Sequence, residues 1–193
     1  NTYIMKHKIF LLLFMFNCLS MFAQFKLTPN GFVSENEPDK AYVVYDFENV
    51  DANTLYRKVI SSINTMFVAS ENVINEAPGE SININALKTG ICQIKYIKKY
   101  SYDAKYNLII KFKDGKIRFD APIVRELYYQ YDAISPKNYL YIECGKNSMS
   151  GSLRLYDKNC EPRYADAIKD IETFFNLLIK EIVYSTDQKN DDW

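Results

Sequence analysis

An Asp-Gly pair between two alternating runs is the feature of this 193-residue sequence that most constrains its fold. Apolar residues alternate with more polar ones from Tyr106 up to Asp114-Gly115, and the alternation resumes directly afterwards. Such a pair favours a two-residue type I′ turn, because both central residues of that turn need a positive φ angle. The sequence therefore predicts a β-hairpin that runs from about Tyr106 to Ala121.

The same turn predicts the register of the hairpin. A two-residue turn sets Lys113 opposite Lys116, and three apolar pairs follow on one face: Phe112 with Ile117, Ile110 with Phe119, and Leu108 with Ala121. Because successive side chains of a strand point to opposite faces, a shift of one residue would move all six apolar side chains to the other face. The apolar pattern and the turn therefore specify one register.

Other segments have the composition of strands. Residues 40–47 are rich in aromatic and β-branched side chains, which favour strands. Residues 81–85 predict a short strand, and a turn at Lys88-Thr89-Gly90 leads into a longer strand at 91–100. Residues 139–142 and 152–156 are further candidates for short strands.

Two segments have the apolar spacing of amphipathic helices. The first begins at Asn49 or Asp51, either of which can cap a helix, and ends near Phe67. The second runs from about Pro162, which suits a first helical turn, to Tyr184. Each helix has a single apolar face, so one side of an antiparallel sheet can bury both. We therefore predict an α+β fold: a twisted antiparallel sheet of about five strands, in the order β-α-β-β-β-β-α, with two helices packed on one face.

The start of the chain has the pattern of a secretory signal peptide. Lys6 and Lys8 come before an apolar run, Ile9 to Phe16, and Ala23 offers a small residue at the expected cleavage edge. The run is too short to span a bilayer, which needs about 20 apolar residues. We therefore expect export without a transmembrane segment, and a mature chain that is periplasmic, outer-membrane-associated or secreted.

Removal of this segment limits the chemistry of the mature chain. It takes away His7, the only histidine, so no imidazole remains for a nucleophile pair or a typical catalytic zinc site. It also takes two of the 24 basic residues and none of the 24 acidic ones, which leaves a net charge of −2. That charge argues against a nucleic-acid partner. The mature chain also lacks a Gly-rich phosphate loop, a CxxC pair and a calcium loop, so we expect no metal, no cofactor and no enzymatic activity.

The cysteines suggest one disulfide. Cys18 lies in the signal segment, and Asn17 in front of it makes lipidation the less favoured of two interpretations. Three cysteines then remain, and in an oxidising compartment one pair plus one buried thiol is the simplest arrangement. Cys144 and Cys160 are the closest in sequence and form the candidate pair, whereas Cys92 alternates with apolar residues as a core position would.

The order of these elements resembles a known family of exported proteins, mostly from Bacteroidetes, described as a domain of unknown function with a TBP-like fold. Four features carry the resemblance: YVVYDFENV at 42–50, LYRKV at 55–59, Gly90 before a long strand, and YNLIIKFKDGKIRF at 106–119. The resemblance implies a TBP-like fold in a single domain behind a signal peptide. The family has no established activity, so the resemblance implies no functional residue.

The chain is accordingly predicted to have four parts. They are upstream residues plus a secretory signal peptide at 1–23, a lead-in arm at 24–39, a single TBP-like domain at 40–184 with a Tyr-rich insertion at about 122–160, and a polar tail at 185–193.

Two groups of residues are candidates for a binding site. Lys111, Lys113 and Arg118 occupy outward positions of the predicted hairpin; we favour a solvated sheet face there, and contact with an acidic glycan or an acidic loop of a partner is the alternative. Tyr128, Tyr129 and Tyr131 could form a platform with Tyr139 and Tyr141, since aromatic rings combine an apolar face with a polar tip. Packing within the sheet is the favoured explanation for most of these tyrosines.

Together these patterns predict an exported, non-catalytic binding or envelope-accessory module that binds an envelope protein or glycan. The alternative is a small carboxylate-dependent hydrolase of the envelope, because two carboxyl groups can cleave a glycosidic bond without histidine. Its candidate acids lie in or near irregular segments: Glu71, Glu76, Glu80, Glu126 and Glu143.

Overall fold

The computed structural model describes residues 24–67, 74–95, 98–147 and 152–187. These residues form ten strands and two helices. The strands are β1 (Phe25–Thr28), β2 (Gly31–Ser34), β3 (Tyr42–Asp46), β4 (Ile74–Ala77), β5 (Ser81–Lys95), β6 (Lys99–Lys113), β7 (Lys116–Asp120), β8 (Ile123–Tyr129), β9 (Asn138–Cys144) and β10 (Leu153–Tyr156), and the helices are α1 (Ala52–Met66) and α2 (Ala165–Asp187). The predicted signal peptide lies outside the described residues.

Eight of the described strands form one twisted, open sheet, and β1 and β2 form a separate hairpin. All pairs in the sheet are antiparallel except that of β9 with β10. The central strand is β6. One of its edges pairs with β5, and the other pairs with β7 near one end and with β8 near the other. The α+β class predicted from the sequence is confirmed, with more strands than the expected five.

Both helices cover the same face of the sheet. The ring of Tyr106 on β6 lies 5.2 Å from that of Phe175 on α2, and the ring of Phe112 lies 5.7 Å from that of Tyr56 on α1. Leu108, which shares this face, is fully buried. We call the helix-covered face the inner face and the opposite one the outer face.

The predicted hairpin is present as β6–β7. Lys113 pairs with Lys116, Phe112 with Ile117 and Ile110 with Phe119, and Gly115 has a φ angle of 70°. The third predicted pair, Leu108 with Ala121, lies beyond the ladder. Strand β7 ends at Asp120, and the amide of Ala121 instead donates to the carbonyl of Ala41, at 2.9 Å.

The turn of this hairpin also holds the chain between β3 and α1. The amide of Phe47 donates to the carbonyl of Gly115 at 2.7 Å, and the amide of Gly115 donates to the carbonyl of Val50 at 2.8 Å. The carboxylate of Asp114 accepts from the amide of Ala52, in the first turn of α1, at 2.9 Å. Of the two predicted caps, Asp51 is the N-cap of α1.

Gly90 does not form the predicted turn. It lies inside β5, where the pairing with β6 shifts between Lys88 and Cys92. Its φ angle is 62°, and its amide donates to the carboxylate of Asp103 at 2.8 Å. A positive φ at glycine serves a β-bulge as well as a turn, and the alternating pattern alone did not distinguish the two.

The predicted lead-in arm contains the β1–β2 hairpin. Phe25, Leu27 and Phe32 are buried. The amides of Phe25 and Leu27 donate to the side chains of Asn176 and Glu172 on α2, both at 2.8 Å. The hairpin therefore packs against α2. Its two strands have only four residues each, and their sequence has the composition of a loop.

The Tyr-rich insertion contains β8, β9 and β10, which extend the sheet beyond the expected strands. A disulfide joins Cys144, at the end of β9, to Cys160, with Cα atoms 4.9 Å apart. Cys92 is a buried free thiol on β5, and burial raises the pKa of its thiol to about 12. Neither described helix has an apolar stretch of the length that a bilayer crossing needs.

We expect Gly115→Ala to lower the free energy of unfolding by about 1 kcal/mol, because alanine is strained at a positive φ angle. Gly115→Asn is the matched control: asparagine tolerates this conformation and should lose less. Urea denaturation of the three proteins provides the comparison. Equal stability of the alanine variant and the wild type would contradict the structural role of the turn.

Candidate functional site

The outer face of the sheet exposes several large apolar side chains. Leu87 on β5 is 53% exposed and Ile123 on β8 is 54% exposed. Val44 on β3 and Tyr141 on β9 are 37% and 40% exposed. In each of these strands, the residues just before and after the exposed one point to the inner face, so the exposed side chain points to the outer face. The outer face is therefore a mixed surface, and its apolar side chains come from four different strands.

Two of the predicted basic residues on this face share one carboxylate. Lys111 pairs with Arg118 across β6 and β7, and Asp120 binds both: its carboxylate lies 2.8 Å from the Lys111 ammonium and 2.6 Å from Arg118 Nε. The Arg118 guanidinium also stacks 3.9 Å over the ring of Tyr42. Within the described part of the chain, Lys113 has no ion pair. The row formed by Lys111, Lys113 and Arg118 therefore has less positive charge than its three basic residues suggest.

The three tyrosines predicted as a platform are not together. Tyr128 lies on the outer face and is 8% exposed. Tyr129, the next residue of β8, points to the inner face, where its ring lies 5.1 Å from that of Tyr100. Tyr131 follows the strand and is 80% exposed. Successive side chains of a strand point to opposite faces, so a run of adjacent tyrosines cannot form one surface.

Three of the five candidate tyrosines, Tyr128, Tyr139 and Tyr141, line the outer face at this edge. Tyr128 pairs with Tyr139 across β8 and β9, and the rings of Tyr139 and Tyr141 lie 6.1 Å apart. The Lys137 ammonium sits 4.1 Å from the centre of the Tyr128 ring. The ring of Tyr128 is therefore already covered by a cation.

The carboxylates of this region are engaged in ion pairs. Glu126 lies 2.7 Å from the ammonium of Lys137 and 3.3 Å from that of Lys105. The hydrogen bond from Lys137 holds the pKa of Glu126 below its usual range. A general acid needs a raised pKa, so Glu126 has the wrong shift for that role. Glu143 accepts from Arg154 Nε at 2.9 Å, and Glu71 lies outside the described residues.

An asparagine cluster on the outer face was not anticipated. Asn107 is 3% exposed, and its side-chain amide donates to Asn83, to Asn85 at 3.1 Å and to the carbonyl of Ile84 at 3.3 Å. The sequence contains the pattern that predicts this cluster. Asn83 and Asn85 alternate with isoleucines, so the two asparagines lie on the face opposite to the isoleucines. The cluster ties β5 to β6 on the outer face.

Strands β8 and β9 separate after a short contact. Their register has two pairs, Tyr128 with Tyr139 and Tyr129 with Asn138. Beyond these pairs lies a cleft of about 190 Å³ between residues 124–127 and 139–143. A depression of about 520 Å³ adjoins it, reaches the turn between β1 and β2, and shares Val124, Ile142 and Glu143 with it. We call the two together the β8–β9 cleft.

We expect Lys137→Met to raise the pKa of Glu126 towards its ordinary value, because the Lys137 hydrogen bond is the main cause of the lowering. The pKa of Glu126 is lower in the folded protein than in the unfolded chain. The ion pair therefore stabilises the fold at pH values above the ordinary carboxyl pKa, and this stabilisation is lost as the pH falls through the pKa of the folded protein. Lys105→Met is the control and should raise the pKa less. An NMR titration of the Glu126 carboxyl carbon measures both; a larger change from Lys105→Met would refute this assignment.

No family model and no curated protein matches the chain. Two solved structures are similar to it. A TBP-like protein from Parabacteroides distasonis ATCC 8503 is 13% identical, with a TM-score of 0.48 over 77% of this chain and 92% of that one. A DUF4468 family protein from Bacteroides ovatus ATCC 8483 is 8% identical, with a TM-score of 0.44 over 79% of this chain and 88% of that one. The first is described as TBP-like and the second as a member of a DUF family, and both come from Bacteroidetes.

Proposed function

We propose that this chain is an exported, non-catalytic binding module of the cell envelope that recognises a protein through the outer face of its sheet. The observation that carries the proposal is the set of exposed apolar side chains there: Val44, Leu87, Ile123 and Tyr141. A partner protein that covers this face would bury these side chains, and burial of apolar surface is the main favourable contribution to most protein–protein association.

The polar surroundings of these residues fit a protein partner. Asp120 bridges Lys111 and Arg118, and Glu126 bridges Lys105 and Lys137. Ion pairs formed within the chain hold these long side chains in place, so less of their freedom is lost when a partner docks. The outer face therefore offers apolar contacts between ordered polar groups.

A glycan partner is less well supported, because sugars stack on open aromatic faces. Tyr128 is 8% exposed and its ring is covered by Lys137. Tyr141 is 40% exposed, but the guanidinium of Arg154 lies 5.7 Å from its ring centre. Tyr128 and Tyr141 thus have cations where a sugar would stack.

Two features support export: the signal peptide predicted within residues 1–23, and the disulfide. Disulfides persist in oxidising compartments and are rare in the cytosol. Cys144 and Cys160 are 16 residues apart, and closing a loop of that size stabilises a fold by about 3 kcal/mol. A stabilising bond of this kind suits a protein that works outside the cytoplasm.

The test compares two double variants, each of which replaces two exposed apolar side chains by serine. Val44→Ser/Leu87→Ser changes the outer face, and Leu177→Ser/Tyr184→Ser changes α2, where these side chains are 58% and 66% exposed. Each immobilised protein captures partners from an envelope extract of the source cell. We expect the outer-face variant to retain less than about a tenth of the wild-type capture, since interface anchors of this kind each contribute 1 kcal/mol or more.

The α2 variant should capture as the wild type does, and protease treatment of the extract should abolish capture. Equal capture by the wild type and the outer-face variant would refute the proposal. Capture that survives protease but is lost after periodate oxidation would identify a glycan partner instead.

A further inference from the structure

The β8–β9 cleft lies between two strand edges. Strand β9 pairs with β10 on its far side, through Leu140 with Leu153 and Tyr141 with Arg154, and β8 pairs with β6 on its own far side. Between the two, the described ladder stops after Tyr129 with Asn138 and Tyr128 with Tyr139. The facing edges therefore carry backbone N–H and C=O groups that no strand of the described chain pairs.

The lining of the cleft is mixed, with apolar side chains towards the core and charged ones, Arg125, Glu126 and Glu143, among the rest. Val124 and Ile142 pack on the core from the two walls, and Leu27 and Phe32 of the β1–β2 hairpin lie beneath them. Four residues of β8, 124–127, face the opening, which corresponds to about 13 Å of extended chain. A peptide of four or five residues in an extended conformation matches this length.

Among the described residues that line the cleft, one charged side chain has no ion pair. The carboxylates at its rim are engaged, Glu126 by Lys137 and Glu143 by Arg154. Arg125 is exposed and forms no ion pair with any described residue. Arg125 is also the extra residue of a β-bulge, at the point where the pairing of β8 with β6 shifts. A β-bulge changes the direction in which a side chain points.

We propose that the β8–β9 cleft binds an extended peptide segment of the partner as an added strand, with an acidic side chain opposite Arg125. The inference rests on the proposed function, of which it specifies the partner class. Backbone hydrogen bonds to the strand edges would supply affinity, and the cleft would select apolar side chains at alternate positions. Arg125 would select the acidic position through charge complementarity.

The probe is a fluorescent synthetic peptide, Val-Thr-Val-Glu-Val-Thr-Val, whose valines share one face of a strand and whose glutamate lies on the other. We expect saturable binding to the full chain by fluorescence anisotropy. Arg125→Glu should weaken it about tenfold or more, and replacing the peptide glutamate by lysine should restore binding to that variant. Lys169→Glu, which reverses an exposed cation of α2 that forms no ion pair with any described residue, is the matched control and should bind as the wild type does.

A peptide with N-methyl groups on alternate amides tests the backbone contribution, because it loses donors but keeps its side chains. Absence of binding by the unmodified peptide would overturn the inference. So would equal binding of the N-methylated peptide, or equal weakening by Lys169→Glu. Capture of the envelope partner separates the two proposals: if Arg125→Glu captures normally and Val44→Ser/Leu87→Ser does not, the outer face binds the partner without strand addition.

Discussion

The turn at Asp114-Gly115 is the contact on which the rest of the structure depends. It ends β6, the strand that pairs with β5, β7 and β8, and its backbone and carboxylate also hold Phe47, Val50 and Ala52. One two-residue segment thus sets the hairpin register, the end of β3 and the start of α1. A register shift there would turn Leu108 and its neighbours away from both helices.

The parts of the fold that were predictable have a strong local signal. The hairpin register follows from a turn type and an alternation of two, and the helices follow from apolar spacing. The β1–β2 hairpin and β8–β10 have weak local signals: four-residue strands, or strands whose partners are distant in sequence. Gly90 was assigned to a turn because the backbone conformation it permits is common to turns and bulges.

The candidate site was predictable only in part. Alternation separates Tyr128 from Tyr129, and it also puts Asp120 on the same face as Arg118; both consequences could have been read from the hairpin. The pairing of Tyr128 with Tyr139 and the opening of the β8–β9 cleft could not, because they depend on where two strands part. The side chains that the sheet presents on its outer face can therefore be predicted from the local sequence. The position of the β8–β9 cleft depends on the tertiary structure.

Amide hydrogen exchange of the folded protein, resolved by residue with NMR, tests most directly whether the sheet is organised around β6 and open at the cleft. The account predicts the slowest exchange in β6, from Ile110 to Phe112, where both edges are hydrogen-bonded and the inner side chains are buried. The amides of β8 and β9 that face the cleft should exchange about a hundredfold faster or more. Equal protection of these amides and those of β6 would mean that β8 and β9 pair along their length, and would contradict an open cleft.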